Sequence, residues 1–308
     1  MISGKIGHVG SGLHVCGLTW SPVFLLEAAP SILFEAGFSC AAQIYEQDIR
    51  NVLKRVHPDM LFLTHVHWDH CGSAGHIEQR FPQLKIAASA RSAAILARPN
   101  ARKLMGKLNR NIVPAVANME ETDKSLLDNI PFRPFSINFK LVDGQEIRLA
   151  KNLTVQALAT PGHTWDHFSY YIPERKILIA GEAAGCLELT DYVDVQFLAD
   201  CEAYMASLRR LSTLPVEILC QGHNFVFVGR TEVKKFLKRS IKATEHYQRD
   251  ILELLHQEKG SIGAVVARLK AERYDPITGR KQPEEAYLLN LKAQVAQLHQ
   301  KHWSLAKP

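Results

Sequence analysis

One short segment constrains this chain more than anything else in it: Thr64-His65-Val66-His67-Trp68-Asp69-His70. Four of its seven side chains are metal ligands by type, and they follow directly on the apolar run 60–63. In an extended segment side chains alternate, so His65 and His67 point the same way and can share one cation. As the chain turns into a helix expected at 72–81, Asp69 and His70 swing toward a second position. Imidazoles suit zinc or iron, and an added carboxylate with positions left for water suits catalysis rather than a closed structural site. A loop that binds no metal has no need of three imidazoles and an aspartate within six positions at a strand end.

The surrounding pattern is mixed. Short apolar runs at 22–26, 31–35, 60–64, 84–89, 153–159, 168–172, 176–180 and 216–220 read as strands, and 48–56, 72–81 and 203–211 as helices. Residues 91–110 hold six basic side chains and no acidic one, with Pro99 and Asn100 ending one helix and opening another. Beyond Thr231 the pattern is helical. Val233, Phe236, Leu237, Ile241, Tyr247, Ile251, Leu254 and Leu255 form one apolar stripe, Gly260 interrupts it, and a last helix runs through Leu288, Leu291, Val295 and Leu298. The expected organisation is a main domain over 1–230 and a helical extension over 231–308 that caps it.

Composition narrows the setting. Hydrophobic residues make up 46% and charged residues 22%, ordinary for a globular protein, and no apolar run approaches the roughly 20 residues that span a bilayer. Residues 1–20 carry glycines and two histidines where a signal peptide is continuously apolar, and the six cysteines show no CxxC pair. Reduced thiols in the cytoplasm are expected, with no membrane partner. The charge of +6 is uneven: 21 basic against 22 acidic residues in 1–229, and 16 against 9 in 230–308. Such a tail reads as a solvated helical face, and nucleic acid is not the expected partner.

Further landmarks follow in order: Thr160-Pro161-Gly162-His163, Ala180-Gly181-Glu182 and Gln221-Gly222-His223, each after an apolar run. With the HxHxDH string, they resemble the metallo-β-lactamase superfamily over most of residues 10–230. The resemblance implies an α+β fold, a four-layer αββα sandwich, here with the C-terminal helical extension. It implies one metal on His65, His67 and His163, and a second on Asp69, His70 and His223, with Glu182 between them. The family usually has aspartate at this last position, so Glu182, one methylene longer, is a departure. Two divalent ions are implied, zinc or iron, with manganese as an alternative. The implied reaction is hydrolysis by a metal-activated water, with Asp69 as the catalytic carboxylate. His167 is expected to support the site without binding metal, and Cys71 to be a small buried residue. Trp68 and Trp165, each beside a ligand, either pack or line the substrate cavity.

A narrower resemblance, to the quinolone-signal response thioesterase subgroup, rests on Pro22-Val23-Phe24-Leu25-Leu26, the 64–72 segment, Leu108-Asn109-Arg110, Glu202-Ala203-Tyr204, the Asp166-His167 pair and the helical tail. It implies cleavage of a small hydrophobic or aromatic acyl-CoA-type thioester, with Arg102, Lys103 and Lys107 as candidates for the coenzyme phosphates. An acyl-lactone hydrolase and a regulatory, partner-binding protein on the same scaffold remain alternatives. A small-molecule ester or thioester is the expected partner, and a homodimer is compatible with the sequence.

Overall fold

The computed structural model of the protein describes residues 1–54, 57–120, 122–127 and 131–303. The chain opens with β1 (Ile2–Ser3), β2 (Gly7–Gly10), β3 (Leu13–Leu18), β4 (Ser21–Leu26), β5 (Ile32–Phe34), α1 (Ala42–Leu53), β6 (Met60–Phe62) and α2 (Ala74–Arg80). It continues through β7 (Lys85–Ser89), α3 (Ala90–Leu96), α4 (Pro99–Ala117), β8 (Phe139–Leu141), β9 (Gln145–Ala150), β10 (Leu153–Ala159), β11 (Phe168–Ile172) and β12 (Ile177–Gly181). It ends with β13 (Cys186–Leu187), β14 (Val193–Asp194), α5 (Cys201–Ser212), β15 (Ile218–Gln221), β16 (Val226–Val228), α6 (Arg230–Gln257), α7 (Ile262–Arg273) and α8 (Glu284–Leu298).

Strands β2 to β8 form one seven-stranded sheet in chain order, antiparallel up to β5 and parallel from β5 onward. The second seven-stranded sheet has the order β1-β16-β15-β12-β11-β10-β9 and is parallel only between β12 and β15. Side-chain alternation lets each strand serve two layers. In β12, Ile177 and Ile179 face the other sheet, while Leu178 and Ala180 face the helices. Between the sheets Phe34 stacks on Phe62 (5.5 Å between centroids) and Tyr170 meets Phe62 edge-on at 5.1 Å. The outer face of the first sheet packs Leu33 and Leu61 against Ile49, Ile77 and Ile112 of α1, α2 and α4. The four-layer αββα sandwich is thus the observed fold. The outer face of the second sheet shares one apolar core with α5 to α8, through Tyr204, Leu208, Ile251, Val265 and Val295.

Local differences from the sequence reading have physical causes. Helix α1 starts at Ala42, six residues before the expected 48, because Ile44, Tyr45 and Ile49 already form a buried face there; positions 55 and 56 of the expected helix lie outside the described residues. Strand β6 stops at Phe62, so the metal-binding motif leaves the sheet earlier than expected. The glycine-rich β2 carries too weak an alternation to be read as a strand, whereas β9, whose Glu146-Ile147-Arg148-Leu149 does alternate, is a strand that the sequence reading omits.

Candidate metal centre

Every element of the site leaves the sandwich at the same edge. The 63–70 loop follows β6, His163 follows β10, Glu182 follows β12 and His223 follows β15. The Phe168 N–H donates to the Thr64 carbonyl (2.7 Å), tying the two sheets together at this edge. Gly162, at φ +128°, lets the turn before His163 press on α5: a Cβ there would lie 2.2 Å from the backbone of Tyr204.

His65, His67 and His163 converge. His163 Nε2 lies 3.2 Å from His65 Nε2 and 3.1 Å from His67 Nδ1. The other ring nitrogens fix the tautomers. His163 Nδ1 donates to the Gln196 carbonyl (2.7 Å), and His65 Nδ1 donates to Thr64 Oγ1 (2.9 Å), whose own proton goes to Glu35. The inward nitrogens of His65 and His163 therefore carry lone pairs, which repel unless a cation lies between them. Their spacing is close to the roughly 3.3 Å that tetrahedral ligation at 2.0–2.1 Å requires. Burial, reinforced by neighbouring imidazoles, keeps them neutral: His65 is held well below its ordinary pKa and His163 is pushed down to about 3.

The second cluster is Asp69, His70 and His223, whose ligand atoms lie within 4.8 Å of one another. His223 Nδ1 donates to the Trp20 carbonyl (2.5 Å), turning Nε2 toward Glu182 Oε1 at 2.7 Å and Asp69 Oδ2 at 3.7 Å. His70 Nδ1 lies 3.5 Å from Glu35 Oε1, and its Nε2 is buried without a hydrogen-bond partner, 3.6 Å from Glu182 Oε1. Such an orphaned nitrogen is the position a cation would fill. Gly222 leaves the room: a Cβ there would come within 3.0 Å of Glu182 Oε1 and 3.2 Å of the His70 ring. Burial alone would raise the Glu182 carboxyl, but His223 and His70 hold it well below its usual range. Burial opposes a charged His70 and His223, yet the surrounding carboxylates outweigh it and raise both. The carboxylates around the second cluster thus favour positive charge there, which a bound cation can supply in place of protons.

Three residues outside the clusters hold them in place. His167 Nδ1 donates to Thr160 Oγ1 (2.8 Å), so its Nε2 is free to accept the Glu182 backbone N–H (3.2 Å). Asp166 Oδ2 accepts from the Val66 N–H (3.1 Å) and the Ser92 hydroxyl (2.9 Å), tying the motif loop to α3. Glu35, fully buried, reaches the first cluster through Thr64 and the second through His70. The sequence reading missed Glu35, although an acid closing the apolar run Ile32-Leu33-Phe34 is a signal in itself. Cys71 is buried, and burial raises its thiol well above the ordinary range.

The clusters open into a cavity of about 830 Å³. Trp68, stacked on Phe38 at 5.4 Å, and the half-exposed Trp165 both line it. Arg102, Lys103 and Lys107 do not: α4 turns Ala101, Leu104, Met105 and Leu108 inward, and Lys107 pairs with Glu285 on α8 (2.5 Å). The basic residues on this wall are instead Arg91 and Arg98. Opposite, the walls come from Tyr192, Gln196, Tyr247, Arg273, Tyr287 and Gln294.

A model of the metallo-beta-lactamase superfamily matches residues 21–223. The chain belongs to this superfamily. Among curated proteins it is 25% identical to the atrochrysone carboxyl ACP thioesterase of Aspergillus fumigatus, over 71% of this chain and 56% of that one. It is 27% identical to a hydroxyacylglutathione hydrolase of Bartonella henselae, over 62% of this chain and 59% of that one. The chain thus spans less than two thirds of the length of these relatives. Among solved structures, a metallo-beta-lactamase family protein of Thermus thermophilus matches with a TM-score of 0.64 and 18% identity, over 96% of this chain and 94% of that one. An archaeal superfamily member from Sulfolobus tokodaii matches at 0.58 and 15% identity, over 95% and 100%. These likenesses establish the fold. Superfamily membership and the two clusters agree: the chain has the fold of this superfamily and two groups of side chains able to hold metal ions.

Proposed function

We propose that the protein hydrolyses a thioester with a small hydrophobic or aromatic acyl group. The observation that carries this reading is the pair of ligand clusters at the floor of a partly open, partly aromatic cavity. The relatives' names, a thioesterase and a hydroxyacylglutathione hydrolase, support the same direction. So does the resemblance of the motif and tail segments to the quinolone-signal response subgroup.

Two divalent cations, held by His65, His67 and His163 and by Asp69, His70, His223 and Glu182, would acidify a water and polarise the substrate carbonyl. Everything else falls to the chain. Asp69, partly open to the cavity, is placed to orient that water, take its proton on a carboxylate oxygen and deliver it to the leaving thiolate. Trp68, Phe38, Leu104 and Leu108 form an apolar wall for the acyl group. Helices α6 to α8 form the opposite wall and narrow the access of water to the acyl end.

Metal-loaded protein given a panel of acyl thioesters and acyl-lactones tests this. Thiol release from aromatic and short-chain acyl thioesters is expected, lowered about 10²–10⁴-fold by Asp69→Ala. Unchanged turnover in both His67→Ala and Asp69→Ala, or turnover confined to lactones, would overturn the reading.

A further inference from the structure

Of the carboxylates that line the cavity, Asp69, Asp166 and Glu182 sit among the ligand clusters and Glu188 and Asp194 lie elsewhere on the wall, whereas Arg91 and Arg98 are exposed at its mouth. Neither arginine forms an ion pair among the described residues. Arg91 lies over the Trp165 ring at 6.0 Å, and Trp165 is 51% exposed. This pair is built rather than incidental. Ser92, next to Arg91, donates to Asp166, next to Trp165, at 2.9 Å, so α3 and the loop carrying His163 are locked side by side. Asp166 is buried and also holds the Val66 N–H, which ties the pair to the metal-binding loop itself.

On the other flank Arg280 lies over Trp20 at 5.3 Å, and the Trp20 carbonyl accepts the His223 ring proton. An arginine stacked on a tryptophan thus stands beside each ligand cluster. The two pairs differ in what they leave for a ligand. Arg280 is engaged with Asn224, which in turn binds Glu188 (3.0 Å), so part of its fork is already used within the protein. Arg91 and Arg98 keep their forks open toward solvent at the cavity mouth. Guanidinium groups bind phosphate in a bidentate fashion, and an exposed indole face takes a purine ring.

We infer that Arg91, Arg98 and Trp165 form a nucleotide-phosphate subsite, which takes the adenosine bisphosphate end of a coenzyme A thioester while the acyl end lies over the metal clusters. This deepens the thioesterase reading and rests on it for the acyl end only. The subsite itself is a binding claim that stands or falls without turnover.

The test uses the full-length, metal-loaded protein and adenosine 3′,5′-bisphosphate as the probe, followed by calorimetry at low ionic strength. Saturable binding is expected, weakened about tenfold or more by Arg91→Gln/Arg98→Gln, since each lost charge-assisted contact is worth that much. An Arg102→Gln/Lys103→Gln control removes the same charge from the same helical region but off the cavity wall, and is expected to bind the probe as wild type does. In kinetics, the preference for benzoyl-CoA over the benzoyl thioester of N-acetylcysteamine, read as a ratio of kcat/KM, is expected to fall about tenfold in the mouth variant only. Absence of bisphosphate binding, or equal weakening in the control, overturns the subsite. If both thioesters are hydrolysed equally well, the subsite fails while the thioesterase reading stands. If the bisphosphate binds through Arg91 and Arg98 but no thioester is cleaved, the thioesterase reading fails and the subsite stands.

Discussion

Glu182 Oε1 lies 2.7 Å from His223 Nε2 and 3.6 Å from the unpartnered, buried Nε2 of His70. One carboxylate oxygen therefore serves both imidazoles of the second cluster. The extra methylene relative to aspartate is accommodated beside Gly222, where a Cβ would come within 3.0 Å of Glu182 Oε1.

Glu182→Ala is accordingly expected to lower metal content toward one ion per chain, because His65, His67 and His163 do not depend on this side chain. Metal analysis after dialysis against a weak chelator reads this directly. Glu182→Asp, which shortens the reach, is expected to retain a second ion with weaker affinity. Two tightly held ions in the alanine variant would remove Glu182 from the ligand set.

His167 acts on the same residue from behind. Its Nε2 accepts the Glu182 N–H while Thr160 holds Nδ1, so the ring fixes the backbone where Gly181 turns at φ +56°. His167→Phe keeps the ring but leaves that N–H unsatisfied. A loss of metal affinity of about 10–100-fold is expected, the usual cost of removing a group that orients ligands. Competition with a chromophoric chelator measures it, and thermal unfolding of the metal-free protein separates it from general destabilisation.

Glu35 gives a sharper case. It adopts φ +65°, a region that disfavours residues with a side chain, so its placement costs on the order of 1 kcal/mol or more. The carboxylate engages Thr64, and through it His65, as well as His70. Glu35→Gln conserves size and removes the charge that increases ligand basicity at both clusters. Weaker binding of both ions, by about tenfold each, is expected, together with a shifted visible spectrum of the cobalt-loaded protein. A change confined to one ion would contradict the dual connection.

How much of this was legible beforehand depended on whether a residue's role was local. The HxHxDH motif and the turns before His163 and His223 are short strings at strand ends, which the two sheets bring to one edge of the sandwich. Glu182 was readable in the same way. Glu35 and Asp166 act through contacts 29 to 100 positions away, Thr64 for the one and Val66 and Ser92 for the other, which no local pattern reveals. The basic stretch misled for a related reason. Six cations in 91–110 show charge, but only the helix phase separates Arg91 and Arg98 at the cavity from Arg102, Lys103 and Lys107 away from it.

Asp194, on the cavity wall and not itself a metal ligand, supplies a further pH dependence. Burial, aided by the Glu188 carboxylate, pushes its pKa up to about 7. A folded-state value above the unfolded one means that folding holds a proton the unfolded chain releases. The associated stability is therefore full below about pH 4 and is lost as pH rises to about 7, with a slope near 1.4 kcal/mol per unit at most. Asp194 is partly open to the cavity, which trims the effect. Asp194→Asn is expected to match wild type in Tm near pH 4 and to exceed it by a few degrees above pH 7. A constant difference across that range would place the titration elsewhere.

Gly162 links packing to the metal centre. Its carbonyl accepts the N–H groups of Ala199 (3.0 Å) and Asp200 (3.2 Å), pinning the Pro161-Gly162-His163 turn to the start of α5. Asp200 in turn caps that helix by accepting from the Ala203 N–H (2.7 Å). A methyl at position 162 would meet backbone atoms of Tyr204, which cannot rotate away as a side-chain tip can, and φ +128° is itself unfavourable for alanine. Tyr204 is fully buried and its hydroxyl donates to the Glu182 carbonyl (3.1 Å), so displacing α5 disturbs both clusters at once. Gly162→Ala is expected to destabilise by more than about 3 kcal/mol and to lower metal content even where it folds. Denaturant unfolding of the metal-free protein, paired with metal analysis of the folded fraction, separates the two effects. A variant with native stability and full metal content would show that the turn is not held by α5.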